Sequence, residues 1–297
     1  MELKKHAYLI IAHKDDVTFR TLIELLDSKN HDLFIHMDQK LENYDPQAVE
    51  NSLKESSVFH VERTDVTWGG YSQINAELLL MKEALAADDY SFFHLLSGED
   101  LPLQTNDSIY NFFEEHPGKN FVSFQGPSLE YDDSIKVRHY HYFQDRFGRL
   151  DNYIEKIIHL TSHKLQELFK VHRHEEIEFQ KGANWFSITQ SLAAYVVDQE
   201  SFIQETFKHT RCADEIYLHT LIHNSEFKDT LYHPHYDGSL EAFMRLIDWD
   251  RGSPYTFRQS DLEELTTSPY LFARKFDASV DSEIVLGLKE YLVSDDS

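Results

Sequence analysis

Residues 91–103 read Ser-Phe-Phe-His-Leu-Leu-Ser-Gly-Glu-Asp-Leu-Pro-Leu. The almost wholly apolar run from Phe92 to Leu96 reads as a buried strand, and Ser97-Gly98-Glu99-Asp100 followed by Pro102 cuts it off as a polar lip. A strand without polar alternation has to be covered on both faces, which points to a layered α/β architecture. In open α/β sheets ligands bind beyond the carboxyl ends of the strands, so Glu99 and Asp100 stand where substrate chemistry takes place. The same two acids would also suit the first turn of a helix, where capping and the helix dipole favour them.

Two earlier runs have the same character. Tyr8 to Ala12 reads as a first buried strand, followed by His13-Lys14-Asp15-Asp16, and Leu33 to Met37 as a second, followed by Asp38-Gln39-Lys40. Between them Asp15 or Asp16 can cap a helix with Phe19, Leu22, Ile23 and Leu26 on one face. Strand, helix, strand is the pattern of a nucleotide-binding half. Asp38, just past the second strand, is placed to accept hydrogen bonds from a ribose or a uracil, although turns also favour Asp.

Val58 to Val61 reads as a third strand. Trp68-Gly69-Gly70-Tyr71-Ser72 follows, with Ser72 as the expected cap of a helix buried through Ile74, Leu78, Met81 and Leu85. Trp68 is placed either to stack on a base or to plug the core. Further on, the pattern predicts a helix over 107–116 and a strand over 121–124. A polar aromatic loop or hairpin that receives a sugar is expected between Tyr131 and Arg149, with Arg138 on the acceptor side, and then a long helix over 151–175. Lys181 to Ile188 reads as a strand entered through Gly182, and Leu192 to Gln204 as a helix. Asp214 reads as an N-cap that sets Glu215 in the first turn of a helix, where it is either a functional acid or an offset to the dipole. No low-complexity linker divides the chain, so one domain over 1–297 is expected.

The net charge of −24 narrows the partners: such a surface is expected to repel nucleic acid and anionic lipid, so a phosphate-bearing ligand has to be held by a few locally concentrated Lys and Arg residues. Those residues gather in the C-terminal third, around Arg245, Arg251, Arg258, Arg274 and Lys275. With Cys212 the sole cysteine, no intramolecular disulfide can form. No apolar run is long enough for a signal peptide or a membrane span, and no basic amphipathic helix stands out, so a cytoplasmic chain without direct membrane insertion is expected, with peripheral contact at the inner face of the membrane left open through partners.

Taken in order, Ile10-Ile11-Ala12-His13-Lys14, Ile35-His36-Met37-Asp38, Trp68-Gly69-Gly70-Tyr71-Ser72, Leu95 to Pro102, Asp214-Glu215, Asp248-Trp249 and Leu271 to Asp277 resemble one glycosyltransferase family. It comprises the branching β-1,6-N-acetylglucosaminyltransferases and the peptide O-xylosyltransferases. The resemblance implies a GT-A type fold, a mixed sheet flanked by helices, with a nucleotide-binding half over 1–125 followed by an acceptor-binding and catalytic half over 126–297, and inverting transfer from a UDP-sugar without a metal ion or other cofactor. Carried over by position, Ala12, His13, Asp38 and Trp68 would hold the donor, Glu215 would be the catalytic base, and Trp249 would wall the acceptor pocket. Lys275 would clamp the diphosphate, joined by Arg251, Arg258 or Arg274, and Glu99 and Asp100 would be free for sugar hydroxyls.

The expected donor sugar is N-acetylglucosamine, with xylose as the alternative, and the expected acceptor a glycan, a lipid-linked oligosaccharide or a protein. Two other classes stay open on the residues. Three His-x-His pairs, at 139/141, 172/174 and 233/235, would suit zinc on a strand. The aromatic content would also suit a non-catalytic carbohydrate-binding relative.

Overall fold

The computed structural model describes residues 4–149 and 153–295. At its centre is a five-stranded sheet in the order β3 (Ser57–His60), β2 (His31–Met37), β1 (His6–Ala12), β4 (Phe92–Ser97), β6 (Ser187–Thr189), parallel except for β6. The apolar runs form the middle of this sheet because both of their faces are covered. Alternation along β1 sends Ala7 and Leu9 into one core, with Ile74, Leu78 and Met81 of the Tyr71–Ala87 helix. Tyr8, Ile10 and Ala12 enter the other, with Phe19, Leu22 and Ile23 of the Val17–Leu25 helix and Ile284 and Leu288 of the Ser282–Asp295 helix.

The register aligns the strand ends. Ala12 pairs with Met37 and Ile11 with Ser97, so the lips after β1, β2 and β4 meet at one edge. There the Asp38 N–H donates to the Ala12 carbonyl at 2.8 Å and the Gly98 N–H to the Ile11 carbonyl at 3.0 Å. Gly98 is needed at this junction because a Cβ on it would lie 2.9 Å from that of Ala12.

A second, three-stranded sheet in the order β5 (Asp100–Pro102), β8 (Phe272–Arg274), β7 (Arg245–Ile247) opens on the same edge. Asp100, Arg274 and Ile247 form one row across it, which brings the start of β5 beside the ends of β7 and β8. Arg245 joins the two sheets. Its buried guanidinium donates to the carbonyls of Phe243 and Phe186 at 2.6 Å and to the Ser187 hydroxyl at 3.1 Å, and burial pulls its pKa down to about 9. Both sheets thus draw strands from either side of residue 125.

Several expected elements take another form. Gly70, not Ser72, occupies the N-cap of the Tyr71–Ala87 helix, while the Ser72 hydroxyl accepts from the Thr67 N–H at 2.9 Å. Residues 121–124 make only isolated bridges, Phe121 to Ser187 and Phe124 to Gly182. The expected loop or hairpin of 131–149 holds two short helices, Tyr131–Arg138 and Gln144–Phe147, the first with acids in its opening turn and bases in its last, as the helix dipole prefers. The long helix runs from Tyr153 to Leu168 and ends before His172, because Lys170 turns left-handed at φ 52°. Its expected first residues, 151 and 152, lie outside the described residues. Only Ser187–Thr189 of the strand expected from Lys181 onward is regular, and the helix from Leu192 to Gln204 is divided into Gln190–Asp198 and Glu200–Phe207.

Four of the 18 histidines are structural members of the sheet. His6, His31, His36 and His94 are buried in the sheet, where desolvation lowers their pKa values. Among the described residues no three His, Cys, Asp or Glu side chains gather as a metal-ligand set, and no helix is long and apolar enough to cross a membrane.

Candidate active site

The strand ends assemble a cationic cluster around one carboxylate. Glu99, only 8% exposed, lies 3.1 Å from Lys275 Nζ, 3.5 Å from Arg274, 3.6 Å from Lys14 Nζ and 3.8 Å from His13. Burial holds the His13 imidazole below its ordinary value, so at neutral pH the positive charge resides on Lys14, Arg274 and Lys275. Asp100 has a different task. It accepts from the Ser97 N–H at 2.8 Å, the Ser97 hydroxyl at 2.9 Å and Arg274 at 2.7 Å, and Arg274 also donates to the Ser97 hydroxyl. Asp100 therefore fixes the guanidinium that lies over the Trp185 ring, 4.5 Å from its centroid. Neither acid caps a helix: Glu99 lies in the turn from β4 into β5, and Asp100 opens β5.

A lysine carries three donors, so Lys275 and Lys14 can hold Glu99 and still meet a second anion. Asp277 steadies Lys14 at 3.0 Å, and its own carboxyl is held down at about 2 by the Ser279 hydroxyl first and by Lys14 second.

Asp38 stands buried on the adjacent lip, where its carboxylate accepts from the Lys40 N–H at 2.8 Å and lies 3.3 Å from Lys40 Nζ. Trp68 is no core plug. Its ring is exposed between the guanidinium groups of Arg149 and Arg211, 5.1 and 5.9 Å from the centroid. The adjoining glycines hold the loop there: Gly69 is left-handed at φ 68°, and a Cβ on Gly70 would lie 2.1 Å from Asp145 Oδ1.

This loop is tied to Glu215. The Cys212 N–H donates to the Gly69 carbonyl at 2.8 Å, and Gln73 Nε2 to Asp214 Oδ2 at 3.3 Å. Cys212, left-handed at φ 50°, opens a tight 3-10 turn over Ala213–Glu215, so the expected N-cap at Asp214 is replaced: Asp214 is buried inside the turn, and Glu215 precedes the Tyr217–His223 helix instead of starting it. The Gly182 N–H donates to the Glu215 carbonyl at 3.0 Å, at a contact so close that a Cβ on Gly182 would fall 1.8 Å from the Ser123 carbonyl oxygen. The Glu215 carboxylate remains 37% exposed and lies 3.4 Å from Lys181 Nζ, which Asp133 holds from its other side at 3.1 Å. Asn184 donates to Asp214 at 3.4 Å and its neighbour Trp185 packs on Arg274, so one short segment joins the cationic cluster to the Glu215 turn.

Asp214 is itself titratable. Burial, and then the neighbouring Glu215, push its carboxyl up to about 7, and Oδ1 is buried without a hydrogen-bond partner among the described residues. Between the ordinary carboxylate range and about 7 the folded chain binds more protons here than the unfolded chain, so this group's contribution to stability declines as pH rises through that window. Asp214→Asn removes the titration. Urea unfolding is expected to show a stability gain over the parent that widens from pH 4 to pH 7; a gap independent of pH would contradict it.

Four other candidates have partners or exposure of their own. Arg138 donates to the carbonyls of Arg173 and His174 and stacks on Phe179 at 5.2 Å, so it braces the segment after the Tyr153–Leu168 helix. Arg251 is shared among Asp248, Asp261 and Glu264 and lies over Tyr255 at 4.4 Å. Arg258 is exposed at the start of the Gln259–Asp261 turn. Trp249, two residues past β7, is 62% exposed. Residue-level reading passed over Lys14 and Lys181 as members of the site; each directly adjoins a residue it did single out, His13 and Gly182.

Comparisons with known proteins bear on this geometry. A family model described as Core-2/I-Branching enzyme matches residues 6–268. Xylosyltransferase 2 of Bos taurus is 25% identical over 304 residues, covering 96% of this chain and 33% of its own length. Xylosyltransferase 1 of Homo sapiens is 25% identical over 308 residues, covering 96% and 30%. The chain thus spans about a third of the length of these curated relatives. Among solved structures, HddC from Yersinia pseudotuberculosis overlaps 44% of this chain and 66% of its own at a TM-score of 0.28 and 12% identity, too little to bear on fold or function.

Proposed function

The chain belongs to the core-2/I-branching enzyme family, and from that premise we propose that it transfers a sugar from a UDP-sugar to an acceptor hydroxyl, with inversion and without a metal ion. The observation that carries this reading is the pairing of two features: Lys14, Arg274 and Lys275 gathered at the strand ends, and the accessible Glu215 carboxylate, whose turn is tied to them through residues 184 and 185.

The chemistry is one displacement. The acceptor oxygen forms a bond to the anomeric carbon as the bond from that carbon to the diphosphate oxygen breaks, and the hydroxyl proton passes to Glu215. Negative charge grows on the leaving UDP, where fixed cations stabilise it as a metal would. Asp38 and the exposed ring of Trp68 lie on the nucleotide side, ready for hydrogen bonding and stacking.

The names of the xylosyltransferase relatives favour UDP-xylose as donor over the UDP-N-acetylglucosamine expected at first, a choice that no motif of the sequence reads. Glycans, lipid-linked oligosaccharides and proteins remain the acceptor classes that a hydroxyl-directed base would serve. The test is UDP release from a panel of UDP-sugars, with and without acceptor mixtures. UDP-xylose is expected to be turned over fastest and acceptor to accelerate it; failure of every donor would overturn the reading in favour of a binding-only relative.

A further inference from the structure

The Tyr153–Leu168 helix is packed with its polar side inward. Its inner face carries His159, Ser162, His163 and Gln166: His159 Nε2 lies 3.3 Å from His141 Nδ1, and the His163 ring is 4.7 Å from that of His139. Gln166 accepts from the Tyr140 N–H at 2.7 Å and donates to the Tyr140 carbonyl at 3.0 Å. These contacts, around a small pocket that Tyr142, Phe143, Phe147 and Ile158 also line, fix the rotation of the helix. Consequently Tyr153, Ile154, Ile157, Leu160, Leu165 and Leu168 face solvent, Ile154 at 70% and Leu168 at 73% exposure, and none of the helix is buried. Phe169 continues this surface beyond the helix, and the exposed Tyr142 and Phe143 belong to the segment packed beneath it. A contiguous apolar surface of this extent marks an interaction site.

We propose that this face docks in the plane of a phospholipid bilayer bearing anionic headgroups. The charge pattern selects that occupant. Residues 142–170 hold Arg146, Arg149, Lys156, Lys164 and Lys170 against Asp145, Asp151, Glu155 and Glu167, a net +1 in a chain of −24. Lys164 stands within the apolar stripe; at a bilayer its stem lies among the apolar side chains while its ammonium reaches the headgroups. A second copy would present the same face, with no excess negative charge to meet Lys156, Lys164 and Lys170. A 16-residue amphipathic helix suits the interface, entering it by about 5–10 Å, and is too short to span it. The proposal is independent of the donor sugar.

Flotation of the full chain with vesicles of phosphatidylcholine, alone or mixed with phosphatidylglycerol, tests it. The chain is expected to float with the mixed vesicles and to be released as salt rises. The triple variant Ile157→Glu, Leu160→Glu, Leu168→Glu changes only exposed positions, so its circular dichroism and melting temperature are expected to match the parent while vesicle binding falls by about tenfold or more. Lys156→Glu with Lys164→Glu is expected to abolish the preference for phosphatidylglycerol. Failure of the parent to float with either vesicle overturns the proposal, as does a parental dimer in sedimentation equilibrium that the triple variant converts to monomer, which would assign the face to a second copy.

Discussion

Glu215→Gln lowers transfer by about a hundredfold or more while UDP affinity stays within about twofold of the parent. The amide keeps the shape of the side chain and can still meet Lys181 through its oxygen, but it cannot take the acceptor proton. The backbone anchors of the turn, Gly182 to the Glu215 carbonyl and Cys212 to Gly69, do not involve the replaced group, so the fold of the site survives. Single-turnover kinetics beside a UDP titration separate the outcomes. Near-parental turnover would remove Glu215 as the base, and a collapse of UDP affinity would make it a donor-site group.

Lys275→Ala is expected to act on the other half of the reaction. It removes one of three permanent cations at the strand ends, so UDP binding weakens by about tenfold and turnover falls by about a hundredfold. Arg274 is a poorer probe of the same role because its loss would also leave the buried Asp100 without its cation, a destabilising change. Arg251→Ala is the informative control. Three carboxylates and the Tyr255 ring already occupy its guanidinium, so UDP affinity and turnover are expected to stay near parental. Equal effects of Lys275→Ala and Arg251→Ala would place the diphosphate closer to Arg251 and break the account of the clamp.

The central strands were legible because burial on both faces leaves an uninterrupted apolar run. Tyr8 to Ala12, Leu33 to Met37 and Phe92 to Leu96 each lie within a strand that ends within a residue of the expected point. The polar lips were legible for the same reason, since Asp38 directly follows one such run and Glu99 stands three residues past another. What depends on distant partners was not. Asp214 has the residue type of an N-cap, but the left-handed Cys212 and the bond to Gly69 turn the chain so that it is buried. Arg245 looks like a surface cation in sequence, yet carbonyls from Phe186 and Phe243 make a buried site for it. Along 153–168 the helical period of the apolar residues is visible, but periodicity does not say which face turns inward; the bonds of Gln166 to the Tyr140 backbone do.

The measurement that tests the central claim most directly is calorimetric titration of UDP into the purified chain in excess EDTA, repeated with magnesium or manganese. With Lys14, Arg274 and Lys275 as the diphosphate site, UDP is expected to bind in EDTA with an affinity that the divalent ions change by less than about threefold. Binding that appears only when a divalent ion is added would contradict the account and make Glu99 and Asp100 its ligands.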